Sequence, residues 1–542
     1  MAARIDRLPP KDKHLLQLAS VIGKDVPFTL LQAFTDLPEE TLRRGLMRLQ
    51  GAEFLYEASL FPELEYTFKH ALLQEVAYKS LLEQHRRVYH AVIGRHLETL
   101  YAGRTDGVLE LLAHHFGRST EDEKAVDYAL LAAEKILRRW ASTTILAHLE
   151  AALKRLQTMP DTPVNRLRRI DAVLQQGEAR FAVGRHAEHI AVLESIRTVV
   201  DEAADPRRRA TWYYWMGFLH SLTGSRPEVA IAYCREAVMV ADIGGFDDLQ
   251  AIAESCLAQA YVCAGDLEAA MAVGERALAT FETRGHVWWA CRTLWQLITA
   301  ANAMGEWRRG LEYCRRALEH GRAVDDLRLK VVGWCRTGST HIQRGDPEIG
   351  LQCCDEALAL SPIPFDTAMI KAVRGHGLVK IGKMEAGIAE LTAAVAWFEQ
   401  SRLHYTRWVF ALRLGEAYLR QGERLQARAR FEEVLTISQE AGYRHLAGVA
   451  ERFLGETLMP QEPAAAAAHL TAAVQLLEEI GARNEMAKAL VAQAHLCRAT
   501  GDLAGARRLL DRALVLFETL GTLDEPRRVQ ALLARLEDER YV

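Results

Sequence analysis

Glycines recur along this sequence at Gly184, Gly224, Gly265, Gly305, Gly345, Gly382, Gly422 and Gly501, a step of about 40 residues with one double gap. The missing member falls in Met459-Pro460-Gln461-Glu462-Pro463, itself a turn signal. A second set, Gly245, Gly285, Gly321, Ser361, Ser401, Gly442, Gly481 and Gly521, keeps the same step. Self-similarity at such a period marks a repeat array, in which each unit buries its apolar face against its neighbours. Each unit reads as helix, tight turn, helix and longer link, because glycine ends helices at positive φ without a steric penalty. Small residues keep phase with the turns. Ala270, Gly310, Gly350, Gly387, Ala427 and Ala506 come five positions on, and Ala277, Ala317, Ala357, Ala394, Val434 and Ala513 twelve positions on. Helices that cross closely need small side chains at the crossing. The spacing predicts an all-α superhelix of about nine units over 165–540, with irregular helical hairpins over 101–164.

Composition agrees with helices. Ala, Leu, Arg and Glu dominate, and all are good helix formers. The net charge of −4 sets up no field for a polyanion. The nine cysteines form no Cys-x-x-Cys pair, so reduced thiols in a cytoplasmic protein are expected. The N-terminus lacks an apolar signal-peptide core, and no apolar run approaches the roughly 20 residues of a membrane span. No membrane partner is expected.

In Leu414-Gly415-x-x-Tyr418-x-x-x-Gly422-x-x-x-x-Ala427-x-x-x-Phe431 the positions of a tetratricopeptide repeat all stand in register. Leu257-Ala258-x-x-Tyr261-x-x-x-Gly265-x-x-x-x-Ala270 is a second copy. The array therefore resembles tetratricopeptide repeats, with units longer than usual, like those of bacterial signal-transduction ATPases. The resemblance implies that the first helix of each unit lines a concave groove. Tyr214, Phe218, Arg292, Trp295, Thr299, Asn302, Ser339, His376 and Glu416 are the candidate residues there, and a protein or peptide is the implied partner.

Residues 1–100 break the period. Pro9-Pro10 opens a helix that Gly23 closes, Pro27 to Phe34 reads as a second helix, and Pro38 starts a third that runs to about Gln50. Glu53 to Glu57 and Leu64 to Phe68 alternate as two short strands around Phe61-Pro62, and Lys69 to Leu100 reads as one long helical stretch. Three helices with a two-stranded wing describe a small winged-helix domain. Ile5-Asp6-Arg7-Leu8-Pro9, Val21-Ile22-Gly23, Tyr66-Thr67-Phe68-Lys69-His70-Ala71-Leu72, Tyr78-x-x-Leu81 and Arg86-Arg87-x-x-His90 carry a further resemblance. They are similar to the winged helix after the nucleotide-binding domain of STAND-type ATPases, in particular the class III cyclase–ATPase–repeat regulators. By that resemblance His70 corresponds to a nucleotide-sensing histidine. The ATPase and cyclase domains of such relatives have no counterpart here, so the expectation is the regulatory half of such a system, partnered in trans, or a remnant of one.

Other motifs are weaker. Gly377 to Met384 has the spacing of a phosphate loop, but Met384 stands where a hydroxyl must hold magnesium, and Gly382 is already a repeat turn. His114-His115 and Cys353-Cys354 are adjacent and point apart on a helix, which suits no shared metal. No catalytic constellation, cofactor motif or metal-ligand spacing is found. Arg43, Arg44 and Arg48 on the third helix leave a DNA-binding regulator as an alternative, although residues 1–100 balance 13 basic against 13 acidic side chains.

Overall fold

The computed structural model describes residues 2–59, 64–137, 142–224, 226–360 and 363–539; Phe61, Pro62 and Ser361 lie outside them. The chain forms two compact units, Met1–Val183 and Gly184–Val542.

The first unit opens with α1 (Ala2–Asp6) and α2 (Pro10–Ile22), followed by β1 (Asp25–Pro27), α3 (Phe28–Thr35), α4 (Glu39–Gly51), β2 (Leu55–Ser59) and β3 (Glu65–Phe68). The strands form one antiparallel sheet in the order β1-β3-β2. β1 is a correction to the two strands expected. It is three residues long, ends in a proline that reads as a helix start, and pairs Val26 with Tyr66 across 40 residues of chain. Leu16, Leu31, Leu42, Leu46, Leu49 and Phe68 close the core between helices and sheet. The long stretch expected after the sheet is two helices, α5 (Ala71–Lys79) and α6 (Glu83–Leu100). The break comes where Leu81 turns into the core and Leu82 is extended. Shorter helices complete the unit: Leu109–Phe116, Asp122–Leu137, Ser142–Leu156, Pro163–Leu174 and Gln176–Ala182.

The second unit begins irregularly with His186–Ser195 and Arg197–Ala203, then settles into helical hairpins. Hairpins one to four pair Pro206–Leu222 with Pro227–Ile243, Asp247–Ala264 with Leu267–Arg284, Val287–Met304 with Trp307–Ala323, and Leu327–Arg344 with Pro347–Ala359. Hairpins five to eight pair Pro364–Lys380 with Met384–Gln400, His404–Gln421 with Arg424–Ala441, Arg444–Leu458 with Pro463–Glu479, and Arg483–Ala499 with Leu503–Leu520. Helix Glu525–Glu539 follows. The described residues thus hold eight regular hairpins rather than nine, because 184–205 breaks into short helices.

All eight glycines of the first set adopt positive φ. The second set holds less evenly. Gly321 is helical, and a Cβ on it would stand 2.9 Å from the backbone nitrogen of Lys330, so it serves the crossing to the next helix. The left-handed residue at that joint is Asp325, and at the next but one it is Arg402 rather than Ser401. The small residues lie at the helix crossings as spaced: Cβ atoms on Gly350 and Gly387 would stand 2.8 Å from the carbonyl oxygens of Gly338 and Gly375.

The hairpins coil tightly enough for one turn of the superhelix to rest on the next. Gly224 meets His404, Gly265 meets Arg444 and His445, Gly305 meets Asn484, and Gly345 meets Asp524. Each of hairpins one to four therefore touches the element five units ahead. Trp307 Nε1 donates to Thr522 Oγ1 at 3.0 Å, Thr522 donates to Asn484 Oδ1 at 2.9 Å, and Arg483 pairs with Glu306 at 3.1 Å. Among the described residues no helix is long and apolar enough to cross a membrane.

Candidate functional site

The first helix of each hairpin places one side chain six positions before its turn. Counted along the array these are Phe218, Gln259, Thr299, Ser339, His376, Glu416, Glu456 and His495. They pass from apolar to neutral polar to ionisable. The row is partly hydrogen-bonded: Gln296 Nε2 donates to Gln259 Oε1 at 3.0 Å and Gln259 Nε2 donates to Ser221 Oγ at 2.9 Å.

The candidate residues separate into groups. Tyr214 and Phe218 are buried. The Arg292 guanidinium lies 3.8 Å over the Phe218 ring, and Tyr214 meets Trp289 edge-on. Trp295 lies 3.4 Å under the guanidinium of Arg336. Arg336 has no carboxylate at ion-pair distance among the described residues, and burial lowers its pKa to about 10. Asn302 is buried and donates to Thr340 at 3.0 Å, which makes it part of the packing between hairpins. Thr299 and Ser339 bond within their own helices, to the Trp295 carbonyl and to Gln343.

His376 and Glu416 come together at the centre of an ionic seam. Glu416 Oε2 stands 3.4 Å from His376 Nε2, and Glu416 Oε1 lies 3.1 Å from both Lys380 and Arg420, while Arg413 approaches at 3.4 Å. Both His376 and Glu416 are buried. Burial alone would raise the Glu416 pKa, but Lys380, His376 and Arg420 outweigh it and hold the carboxylate well below its usual range. Burial, with Arg413 adding repulsion, holds His376 down at about 3, so the imidazole is neutral. The seam continues through Arg452, which pairs with Glu456 at 2.6 Å and Glu485 at 2.8 Å, and Lys488, which pairs with Glu485 at 2.9 Å.

A cavity of about 570 Å³ opens on this seam, a size in the range of small-ligand pockets. Six cations line it, Lys380, Arg420, Arg452, Lys488, Arg528 and Arg535, against three carboxylates, Glu416, Glu456 and Glu525. Leu419, Phe453, Met459, Val491 and Leu532 supply an apolar strip. Of the candidate residues only Glu416 lines the cavity. The cations were not among them. Lys380 and Arg420 share a signal, since both stand two positions before a turn glycine. Arg528 and Arg535 lie on the final helix, where the period has ended.

In the first unit His70 is exposed on the segment between β3 and α5. Tyr78 and His90 meet, Oη to Nε2 at 2.9 Å, and His90 Nδ1 lies 2.9 Å from His115 Nδ1 in the interior. The three arginines of α4 are occupied. Arg48 makes paired bonds to Asp12, Arg43 bonds Glu39 and covers the Phe28 ring, and Arg44 lies 4.0 Å from Glu40. Gly377 lies inside a helix and Gly382 in a helix–helix turn, so the phosphate-loop spacing lacks the strand that a phosphate loop follows. Cys353 and Cys354 are buried thiols with raised pKa values, chiefly through burial, and among the described residues no three His, Cys, Asp or Glu side chains form a metal-holding group.

Comparison with protein-family models finds no match, and none is found among curated proteins. Solved structures do match. The APC/C hetero-tetramer Cut9–Hcn1 is similar at a TM-score of 0.52 and 13% identity, over 83% of this chain and 87% of that one. The STAND protein with a tetratricopeptide repeat sensor from Pyrococcus horikoshii matches 88% of this chain at 14% identity and a TM-score of 0.35, and this chain spans 65% of its length. NprR in complex with its cognate peptide NprX matches 65% of this chain and 99% of its own at 13% identity and a TM-score of 0.49. The fold, eight stacked hairpins of which seven turn at a glycine, is that of a tetratricopeptide-like α-α superhelix.

Proposed function

We propose that this chain is a regulatory binding protein whose repeat groove takes a protein or peptide partner, and that it serves as the sensing half of a signal-transduction ATPase or cyclase system. The observation that carries the reading is the cavity on the ionic seam. Buried charge is costly to a fold that hydrophobic side chains could pack instead, and a cavity lined with more cations than carboxylates is suited to recognition. The first unit supports the second half of the reading. From α2 onward its order, helix, strand, helix, helix, strand, strand, is the one a winged helix would need. The exposed His70 is accessible to an ATPase domain. DNA binding has less support, since the α4 arginines are answered by carboxylates of the same unit.

Affinity capture from the native lysate, with the whole chain as bait and with or without ATP, tests this. The expected catch is an ATPase or cyclase that His70→Ala releases, together with a partner that Lys488→Glu releases. Capture of no specific protein under either condition would sink the reading.

A further inference from the structure

Resting on that groove reading, we infer that the cavity's ligand carries a carboxylate beside an apolar flank, either as an acidic segment of a peptide or as a free organic acid. Charge comes first. The wall's carboxylates are already committed to the protein's own cations: Glu416 to Lys380 and Arg420, Glu456 to Arg452, and Glu525 to Arg528 at 3.6 Å. Counting Glu485 behind the wall, four carboxylates answer six cations. The excess is placed where a ligand can reach it. Arg535 is exposed on the final helix and has no carboxylate at ion-pair distance among the described residues. Arg528 beside it holds Glu525 only loosely. A ligand carboxylate at these two guanidiniums gains charge-assisted, bidentate bonds, roughly twice as strong as neutral ones.

The apolar strip selects among anions. Leu419, Phe453, Met459, Val491 and Leu532 face the same space as the cations. A small hydrated anion such as phosphate would leave that strip wet, whereas an acid with an aliphatic or aromatic flank covers it and gains the transfer energy. The buried half of the seam has a separate part. Glu416, Lys380, Arg452 and Glu485 are held in mutual pairs, which fixes the floor of the cavity, so recognition falls first to Arg528 and Arg535 at its rim, with a secondary part for Lys488, which already pairs with Glu485.

The test displays short random peptides to the whole chain and follows the recovered binders by titration. Enrichment of Asp or Glu flanked by Leu, Ile or Phe is expected. A binder whose acid is changed to its amide should lose about tenfold or more in affinity, the worth of one charge-assisted bond. The double variant Arg528→Glu/Arg535→Glu should lose at least as much while its circular dichroism is unchanged, and Lys488→Met should weaken binding without reversing charge. Octanoate that displaces the binder identifies a free acid as a sufficient ligand; octanoate without effect, beside a retained acidic peptide, assigns the peptide. Binders without acidic enrichment, binders indifferent to the double variant, or inorganic phosphate competing better than octanoate would each overturn the inference and leave a groove that binds by other means. Neither peptide nor octanoate binding the whole chain would overturn it too, and capture of a lysate partner through the groove then decides the broader reading separately.

Discussion

Replacing the Glu416 carboxylate by the amide of glutamine keeps its size and removes the negative charge that pairs with Lys380, Arg413, Arg420 and His376. Breaking a buried pair strands its partner, at about 3–5 kcal/mol. Glu416→Gln should therefore lower the unfolding free energy of the whole chain, read from urea titration, by that much, and Glu416→Gln/Lys380→Met should recover part of it. A loss under about 1 kcal/mol would show the seam to be solvated. The buried histidines make a pH prediction of fixed sign. His90 and His376 are held at about 3 and His445 at about 4, chiefly by burial, below the ordinary 6.5. The unfolded chain takes these protons first, so stability is full above about pH 6.5 and falls as pH drops toward the folded values. Asp366, raised by burial to about 6, acts oppositely: its folded form takes the proton first, so stability it withholds at neutral pH returns as pH falls through that value. His376→Asn should flatten the fall of the urea midpoint between about pH 6.5 and about pH 4; an unchanged slope would mean that His376 is protonated in the fold. At this scale the sequence marks His376 and Glu416, because both keep phase with a turn glycine, while Arg528 and Arg535 carry no such mark.

The hairpins were legible because two constraints repeat at one period, positive φ at the turn and little side chain at the crossing. The two are separable by substitution. A Cβ on Gly387 would stand 2.8 Å from a backbone oxygen, which has no rotamer to swing aside, whereas one on Gly382, at φ +84°, meets nothing within 4 Å. Gly387→Ala should cost about 1–3 kcal/mol through overpacking, and Gly382→Ala about 1–2 kcal/mol through the left-handed backbone alone. Thermal unfolding of the two variants ranks them, and a neutral Gly387→Ala would contradict the close crossing. Where the sequence misled, one residue type had two jobs. Gly321 kept the period of the links but lies in a helix crossing, and the left-handed turn nearby falls to Asp325. Strand β1 was missed for another reason. Three residues ending in proline carry no alternation to read, and its partner lies far along the chain.

A repeat array whose units touch only their neighbours loosens locally, since each interface is an independent term. The second unit departs from that limit, because hairpin three rests on hairpin eight through Trp307, Thr522 and Asn484. No sequence pattern announces this contact. It depends on the rotation accumulated over five hairpins, which every helix crossing between them sets. Thr522→Val keeps the side chain's shape, removes its hydroxyl, and leaves the buried Trp307 indole N–H without its acceptor, at a cost of about 1–3 kcal/mol. If the link couples the turns of the superhelix, hydrogen exchange should quicken in both Trp307–Ala323 and Leu503–Leu520, although the bonded residues lie 215 apart in sequence. Quickening confined to the neighbourhood of Thr522 would mean that the turns touch without supporting each other. The pitch of the groove would then be free to change, and the cavity wall, which runs from Lys380 to Arg535, would be adjustable by whatever ligand enters it rather than preformed.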